Sequence, residues 1–405
     1  MLVGKILRKF GNLFLFTVLL LFGSARQVRG QEGIEVVDVQ ATHVFGKEIH
    51  FSAQILASSP IKESLLIFRE ADEENSRVIS LNADEEGGVR YIYDASENLL
   101  HPFVEIVYWF QVELSSGESF TSPKYFFTYT DNRFEWETRE DDNLRVHWYE
   151  GDEAFGLSAL DTARAGLADI QKLFPVNTSQ PIDIYIYASP NELQNALFMG
   201  GETWIAGHAS PALGIIFASI PPGEQEKILM QEYISHEMAH VLLYRYVGEN
   251  YNLLPIWLLE GTASMAELYP DPDYQLALER ATENDALIPV AELCHTFPRN
   301  ASEAFLAYAE ATSFTRYLYA NYGYSGMDDL INAYADGLSC ETGTVSAFGE
   351  TLEYLDADWR ESVLGANMLG VAWRAIFPYF LLLTLLLLVP LGSGIFALIK
   401  TSSKA

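Results

Sequence analysis

His236, Glu237 and His240 stand in the pattern H-E-x-x-H, inside a mostly apolar run, residues 227–246, that reads as one helix. Helical neighbours four apart share a face, so His236 and His240 present two imidazoles to one point. Neutral imidazole binds zinc well at physiological pH, and a carboxylate beside a cation stays ionised and able to act as a base. The pattern therefore predicts a zinc ion between the histidines and Glu237 as a general base acting on water. A plainer reading has both histidines satisfying hydrogen bonds in a core. It leaves Glu237 buried among Met238, Ala239 and Val241 with no partner, which is costly. Two histidines need at least one more protein ligand and an open position for water. Residues 255–267, opened by Pro255, read as a second helix, and Glu260 is the acidic residue in its first half. The competing reading of Glu260 is a carboxylate on the helix surface.

With Glu260 twenty positions after His240 in the stretch Glu260-Gly261-Thr262-Ala263, the chain resembles the gluzincin metallopeptidases. In that family the helix bearing H-E-x-x-H is followed by a glutamate ligand in an E-G-x-A-like stretch. Within it, the chain is similar to the bacterial exported peptidase MA-like group, across residues 134–363. Weaker echoes lie at residues 204–209 (W-I-A-G-H-A), 181–187 (P-I-D-I-Y-I-Y) and 307–318. The resemblance implies a two-lobed, thermolysin-like peptide hydrolase in which His236, His240 and Glu260 hold Zn2+ and Glu237 is the base. It also implies an oxyanion donor after the ligand glutamate, for which Tyr308 is the candidate. Tyr317, Tyr319, Tyr322 and Tyr324 crowd the same region, so an ordinary aromatic role for Tyr308 stays open. His208 is a weaker candidate for lining the cleft. Two departures stand out. Thermolysin-like members carry an aspartate four residues after the ligand glutamate, where this chain has Ser264; Glu267 lies one turn further on and could substitute. The G-x-M-E-N segment of the aminopeptidase branch is missing, which favours an endopeptidase.

These residues need elements to hold them. Residues 144–148 and 182–187 read as strands and 153–173 and 190–198 as helices. Strand-like pieces follow at 203–208 and 213–220, and the chain after the zinc helix is mostly helical to residue 360. This is an α+β layout, with a sheet-bearing lobe and a helical lobe meeting at a cleft. The edge strand before the zinc helix would pair with an extended peptide. Ahead of it, short runs rich in Val, Ile, Phe and Tyr at 34–39, 48–55, 65–69, 89–93, 104–114 and 125–130 predict an immunoglobulin- or fibronectin-like β-sandwich. The expected organisation is a signal peptide over 1–30, the sandwich over 31–133 and the metallopeptidase domain over 134–366. A transmembrane helix over 375–399 and a cytoplasmic tail over 400–405 complete it.

The two ends predict the address. Lys5, Arg8 and Lys9 precede an apolar run, 10–23, too short for a comfortable span, and cleavage is expected near Gly30. Residues 375–399 are uncharged and long enough to cross a hydrocarbon core of about 30 Å, with Lys400 and Lys404 beyond them. The expectation is a single-pass cell-membrane protein with its catalytic domain outside. A formal net charge of −30 makes nucleic acid a poor partner and leaves a peptide or protein substrate. Cys294 and Cys340 could form one disulfide, and the sequence leaves that open. Two other functional classes also stay open: a zinc-binding scaffold with little or no activity, and an adhesion protein whose sandwich does the work.

Overall fold

The computed structural model describes residues 33–176, 178–197, 207–365 and Tyr379. They fall into two compact units. The first comprises the chain to His43, Ile49–Tyr93 and Glu105–Phe127; the second comprises Val44–Glu48, Asp94–Val104 and the chain from Thr128 onward.

The first unit is sandwich-like. Strands β1 (Ile34–Val44), β2 (Glu48–Ala57) and β5 (Gly88–Asp94) form one sheet in the order β1-β2-β5. Strands β3 (Ile61–Glu70), β4 (Arg77–Leu81), β6 (Glu105–Leu114) and β7 (Ser119–Thr121) form the other, in the order β4-β3-β6-β7, with β8 (Tyr125–Thr128) also on β6. Every second residue of β2 from Ile49 to Ile55 is buried, as a strand with one face on a core requires. In the β3–β6 register Leu66 faces Phe110 and Phe68 faces Tyr108, and all four are buried. Phe51 of the first sheet meets Phe68 of the second at 5.1 Å between ring centroids, locking the two layers. Strands β4 and β7 have no counterpart in the sequence reading. They are short, and their residues are mostly half-buried or exposed.

The second unit opens with a mixed five-stranded sheet. Its strands are β9 (Glu137–Asp141), β10 (Leu144–Trp148), β11 (Ile182–Tyr187), β12 (Gly207–Ser210) and β13 (Ile215–Ser219), in the order β12-β13-β11-β10-β9. The three central strands are parallel and both edge strands antiparallel. Central β13, IIFAS, is buried throughout, as a strand covered on both faces must be. Helices α1 (Glu153–Ile170) and α2 (Pro190–Leu197) cover the sheet, α1 starting at Asp152, whose carboxylate accepts the Phe155 N–H.

The expected single helix over 227–246 is interrupted. It runs as α3 (Glu226–Leu229), a π turn (Met230–Ile234) and α4 (Ser235–Val247). A π turn adds one residue to a helical turn and rotates the next stretch of helix, a device concentrated at functional sites. Gly248, at φ 69, ends α4 and sends the chain through a 3-10 turn, Gly248–Leu253, to α5 (Ile256–Ala266). The rest is helical: α6 (Asp273–Glu283), α7 (Ala301–Ala335, broken at Gly323), α8 (Cys340–Phe348) and α9 (Leu352–Trp359). Gly261 of α5 is required by packing: a Cβ there would sit 2.5 Å from the Ala311 carbonyl oxygen of α7. Cys294 and Cys340 are joined in a disulfide, which answers the question their sequence positions left open. The Trp257 indole N–H of α5 lies 3.4 Å from Cys340 Sγ.

No helix among the described residues is long and apolar enough to cross a membrane. The segments read as signal peptide (1–30) and as membrane span and tail (375–405) lie outside the described residues, Tyr379 excepted, as do Asn177 and residues 204–206 of the weaker motif.

Candidate active site

Helix α4 places His236 and His240 one turn apart, their ring centroids separated by 5.2 Å. Helix α5 brings Glu260 to them. Its Oε2 lies 3.4 Å from His236 Nε2 and 3.7 Å from His240 Nε2. The three ligand atoms lie within 4.8 Å of one another, the one such cluster among the described residues.

The remaining ring nitrogens are engaged elsewhere. His236 Nδ1 is 2.9 Å from Glu267 Oε1, and His240 Nδ1 is 2.8 Å from the Tyr251 hydroxyl. Such outer hydrogen bonds fix the tautomer and aim both Nε2 atoms inward. Glu267, not Ser264, therefore does the orienting on His236. Tyr251 is a contributor the sequence reading missed. It sits in the 3-10 turn between the two motifs, where nothing in residue spacing marks it, although Gly248 signals that the chain doubles back there.

Glu237 is buried, and edge strand β12 lies directly against it: a Cβ on Gly207 would stand 2.5 Å from Glu237 Oε1. Burial raises the Glu237 pKa, opposed by the two histidines. Burial would raise that of Glu260 as well, but His240 and His236 outweigh it and hold this carboxyl well below the usual range. For His236, burial opposes the charge, while the neighbouring carboxylates of Glu260 and Glu267 more than compensate and raise its pKa well above 6.5.

Tyr308 of α7 lies beside the cluster: its ring centroid is 6.3 Å from that of His236, and burial, then the charge of Glu260, raises its pKa. Phe297 packs edge-on against it at 5.1 Å. His208 of β12 lines the same cavity, its pKa lowered by burial and then by His240. The cavity, about 450 Å³, also takes in Tyr233, Tyr274 and Phe305, together with Glu232 and Asp271. Burial, then Glu267 and Asp271, pushes Glu232 up to about 7.

Residues 162–365, half of the chain, match the peptidase MA superfamily, and the chain belongs to it. All the residues of the cluster lie inside that stretch, and the membership makes peptide hydrolysis the general activity of this domain. No curated protein matches the chain. Among solved structures, the bromine derivative of BhCBM56 is 9% identical over 24% of this chain and 94% of its own, at a TM-score of 0.19. A β-1,3-glucan-binding domain of carbohydrate-binding module family 56 is 10% identical over 23% of this chain and 98% of its own, at 0.17. A polysaccharide deacetylase from Bacillus cereus is 11% identical over 44% of this chain and 59% of its own, at 0.21. Likenesses at these scores carry no argument about this chain.

Proposed function

We propose that the chain is a zinc-dependent endopeptidase of gluzincin type, with His236, His240 and Glu260 as the metal ligands. One observation carries the reading: three ligand atoms converge while both outer ring nitrogens are already committed to Glu267 and Tyr251. The donor set suits the ion. A tetrahedral site with ligand bonds of 2.0–2.1 Å has ligand–ligand edges of about 3.3 Å. The two Nε2 to Oε2 separations, 3.4 and 3.7 Å, approach that edge and are long for hydrogen bonds. Zinc bound there would supply Lewis acidity, bringing the pKa of water down towards about 7 and polarising a carbonyl.

The side chains do the rest. Glu237 takes the proton of the attacking water and returns it to the departing amine, a role suited to a buried carboxylate of raised pKa. The Tyr308 hydroxyl donates to the oxyanion as the carbonyl carbon becomes tetrahedral. Among the described residues strand β12 has only β13 as a neighbour in its sheet, so its other edge offers main-chain groups to an extended peptide. Bound that way, a chain continues past the site in both directions, which suits an endopeptidase. The thermolysin-like two-lobed arrangement belongs to the same proposal. So does the address: the basic start with its apolar run, and the uncharged stretch 375–399 followed by Lys400 and Lys404, support export and a single C-terminal anchor.

Elemental analysis and hydrolysis together test the enzyme. The full chain purified in detergent should carry one zinc and cleave internally quenched peptides. Glu237→Gln should keep the zinc and lose at least about 10²-fold in kcat. Equal cleavage by Glu237→Gln, or no stoichiometric zinc, would overturn the reading; zinc without hydrolysis would turn it into a binding protein. Resistance of the membrane-bound chain to alkaline extraction tests the anchor.

A further inference from the structure

Three carboxylates line the cavity close to one another: Glu267, which orients His236 through one oxygen only, and Glu232 and Asp271, which have no part in the hydrolysis. Glu232 lies in the π turn, Glu267 just beyond α5 and Asp271 four residues later. The Leu268 N–H donates to the Gln231 carbonyl oxygen at 3.0 Å and ties that loop to the π turn. Asp271 Oδ1 accepts the Asp273 N–H at 2.8 Å, which fixes the carboxylate in place. Glu267 uses Oε1 on His236, while its Oε2 is buried without a partner, in a side chain only 4% exposed.

Crowding like charges at a half-buried wall is unfavourable unless a cation neutralises them. None is supplied from within. Among the described residues no Lys or Arg lines the cavity, and neither Glu232 nor Asp271 forms an ion pair. Residues 198–206 contain Glu202 and no Lys or Arg. The three carboxylates do not form a metal cage, since only His236, His240 and Glu260 bring ligand atoms within 4.8 Å of one another. They suit a longer organic cation with several donors. Tyr233, Tyr274 and Phe305 supply the aromatic surface on which a guanidinium packs.

We propose that this wall is a specificity pocket for an arginine or lysine side chain next to the peptide bond that is cut. The inference rests on the peptidase reading. A basic side chain reaches Glu232 and Asp271, with the buried charge of Glu267 close behind them, and its uncharged isostere leaves those charges unanswered.

The probe is a pair of internally quenched peptides that differ only in arginine against citrulline beside the scissile bond, each with a free or an acetylated amino terminus. The full chain should cleave the arginine peptide at least about tenfold better in kcat/KM, whether acetylated or not. In Asp271→Asn and in Glu232→Gln/Asp271→Asn the ratio should fall to within about twofold. Binding to the Glu237→Gln chain, read by fluorescence anisotropy, should show the same preference without turnover. It also covers the case in which the double variant fails to fold. A ratio near one, in cleavage and in binding, overturns the pocket, as does a preference that survives Asp271→Asn in folded protein. Discrimination that follows acetylation alone assigns the cation to the substrate's terminus and overturns the side-chain assignment. Absence of hydrolysis from every peptide defeats the peptidase reading instead, and the anisotropy ratio then judges the pocket separately.

Discussion

The sandwich and the peptidase unit bury polar groups for different purposes. In the sandwich the buried hydroxyls answer to nearby backbone: Ser64 Oγ donates to the Leu81 carbonyl oxygen and Ser122 Oγ to that of Pro123. The sandwich core is otherwise mostly apolar, with Phe51, Phe68, Tyr108 and Phe110 inside and one buried carboxylate, Glu70, at the end of β3. In the peptidase unit Glu237, His240, Glu260 and Glu267 are packed around a single point, and their neighbours are other titratable groups. The contrast teaches where to look for work. A layer that has only to stand satisfies each polar group locally, while a site that handles charge accepts costs that must be met from outside, here by a cation.

The sharpest way to break that contrast is to damage the layer that should be passive. Phe51→Ala empties the junction between the two sandwich sheets and should cost about 3–5 kcal/mol of stability. Chemical denaturation reads the loss. Metal content of the folded fraction should stay at one zinc per chain; a folded variant without zinc would show that the sandwich is not passive.

Within the site, Tyr308→Phe removes the proposed oxyanion donor and leaves the ring packing against Phe297. A fall in kcat of about 10²–10³-fold with KM nearly unchanged is expected. Full activity with intact zinc would return Tyr308 to the ranks of ordinary aromatics. Next in size comes Glu267→Gln, which keeps the shape but weakens the hold on His236 Nδ1. Zinc affinity, measured by competition with a chelator, should drop about 10–100-fold. Tyr251→Phe should weaken it less, because a neutral hydroxyl is a poorer partner than a carboxylate.

Much of this was legible in the residues. The i, i+4 histidines could be placed together because helical periodicity is a local property, Glu260 is joined to them by the resemblance to the gluzincins, and the strands at 144–148 and 182–187 fall where alternation put them. What escaped depends on contacts between distant segments. Strand β9 (ETRED) is built of charged residues and has no apolar face to betray it; its pairing with β10 makes it a strand. The π turn before α4 has no compositional mark. Tyr251 joins the site because the turn after Gly248 carries it back to His240. The disulfide was undecidable for a similar reason: forty-six residues separate Cys294 from Cys340, and the packing of α8 against the 3-10 turn Val290–Cys294 brings them together.

The last test probes a buried carboxylate away from the cleft. Glu310 of α7 is fully buried, its Oε1 accepts the Ile288 N–H at 2.9 Å, and its Oε2 has no partner. Burial pushes its pKa up to about 8, with the Ile288 N–H and Arg360 pulling the other way. In the unfolded chain the group titrates near 4.5. Between those values the folded chain holds a proton that the unfolded chain has lost, so stability declines as pH rises from about 4.5 and the loss is complete once pH passes about 8. Glu310→Gln keeps an oxygen for Ile288 and cannot ionise. In excess chelator, so that metal binding does not add its own pH dependence, the variant's melting temperature should rise relative to the parent's by on the order of 10 °C between pH 5 and pH 9. An equal difference at both pH values would mean that the carboxyl titrates normally, and that the orphaned oxygen is reached by water. The helix that carries Tyr308 to the cleft would then owe nothing to a proton held two residues further along it.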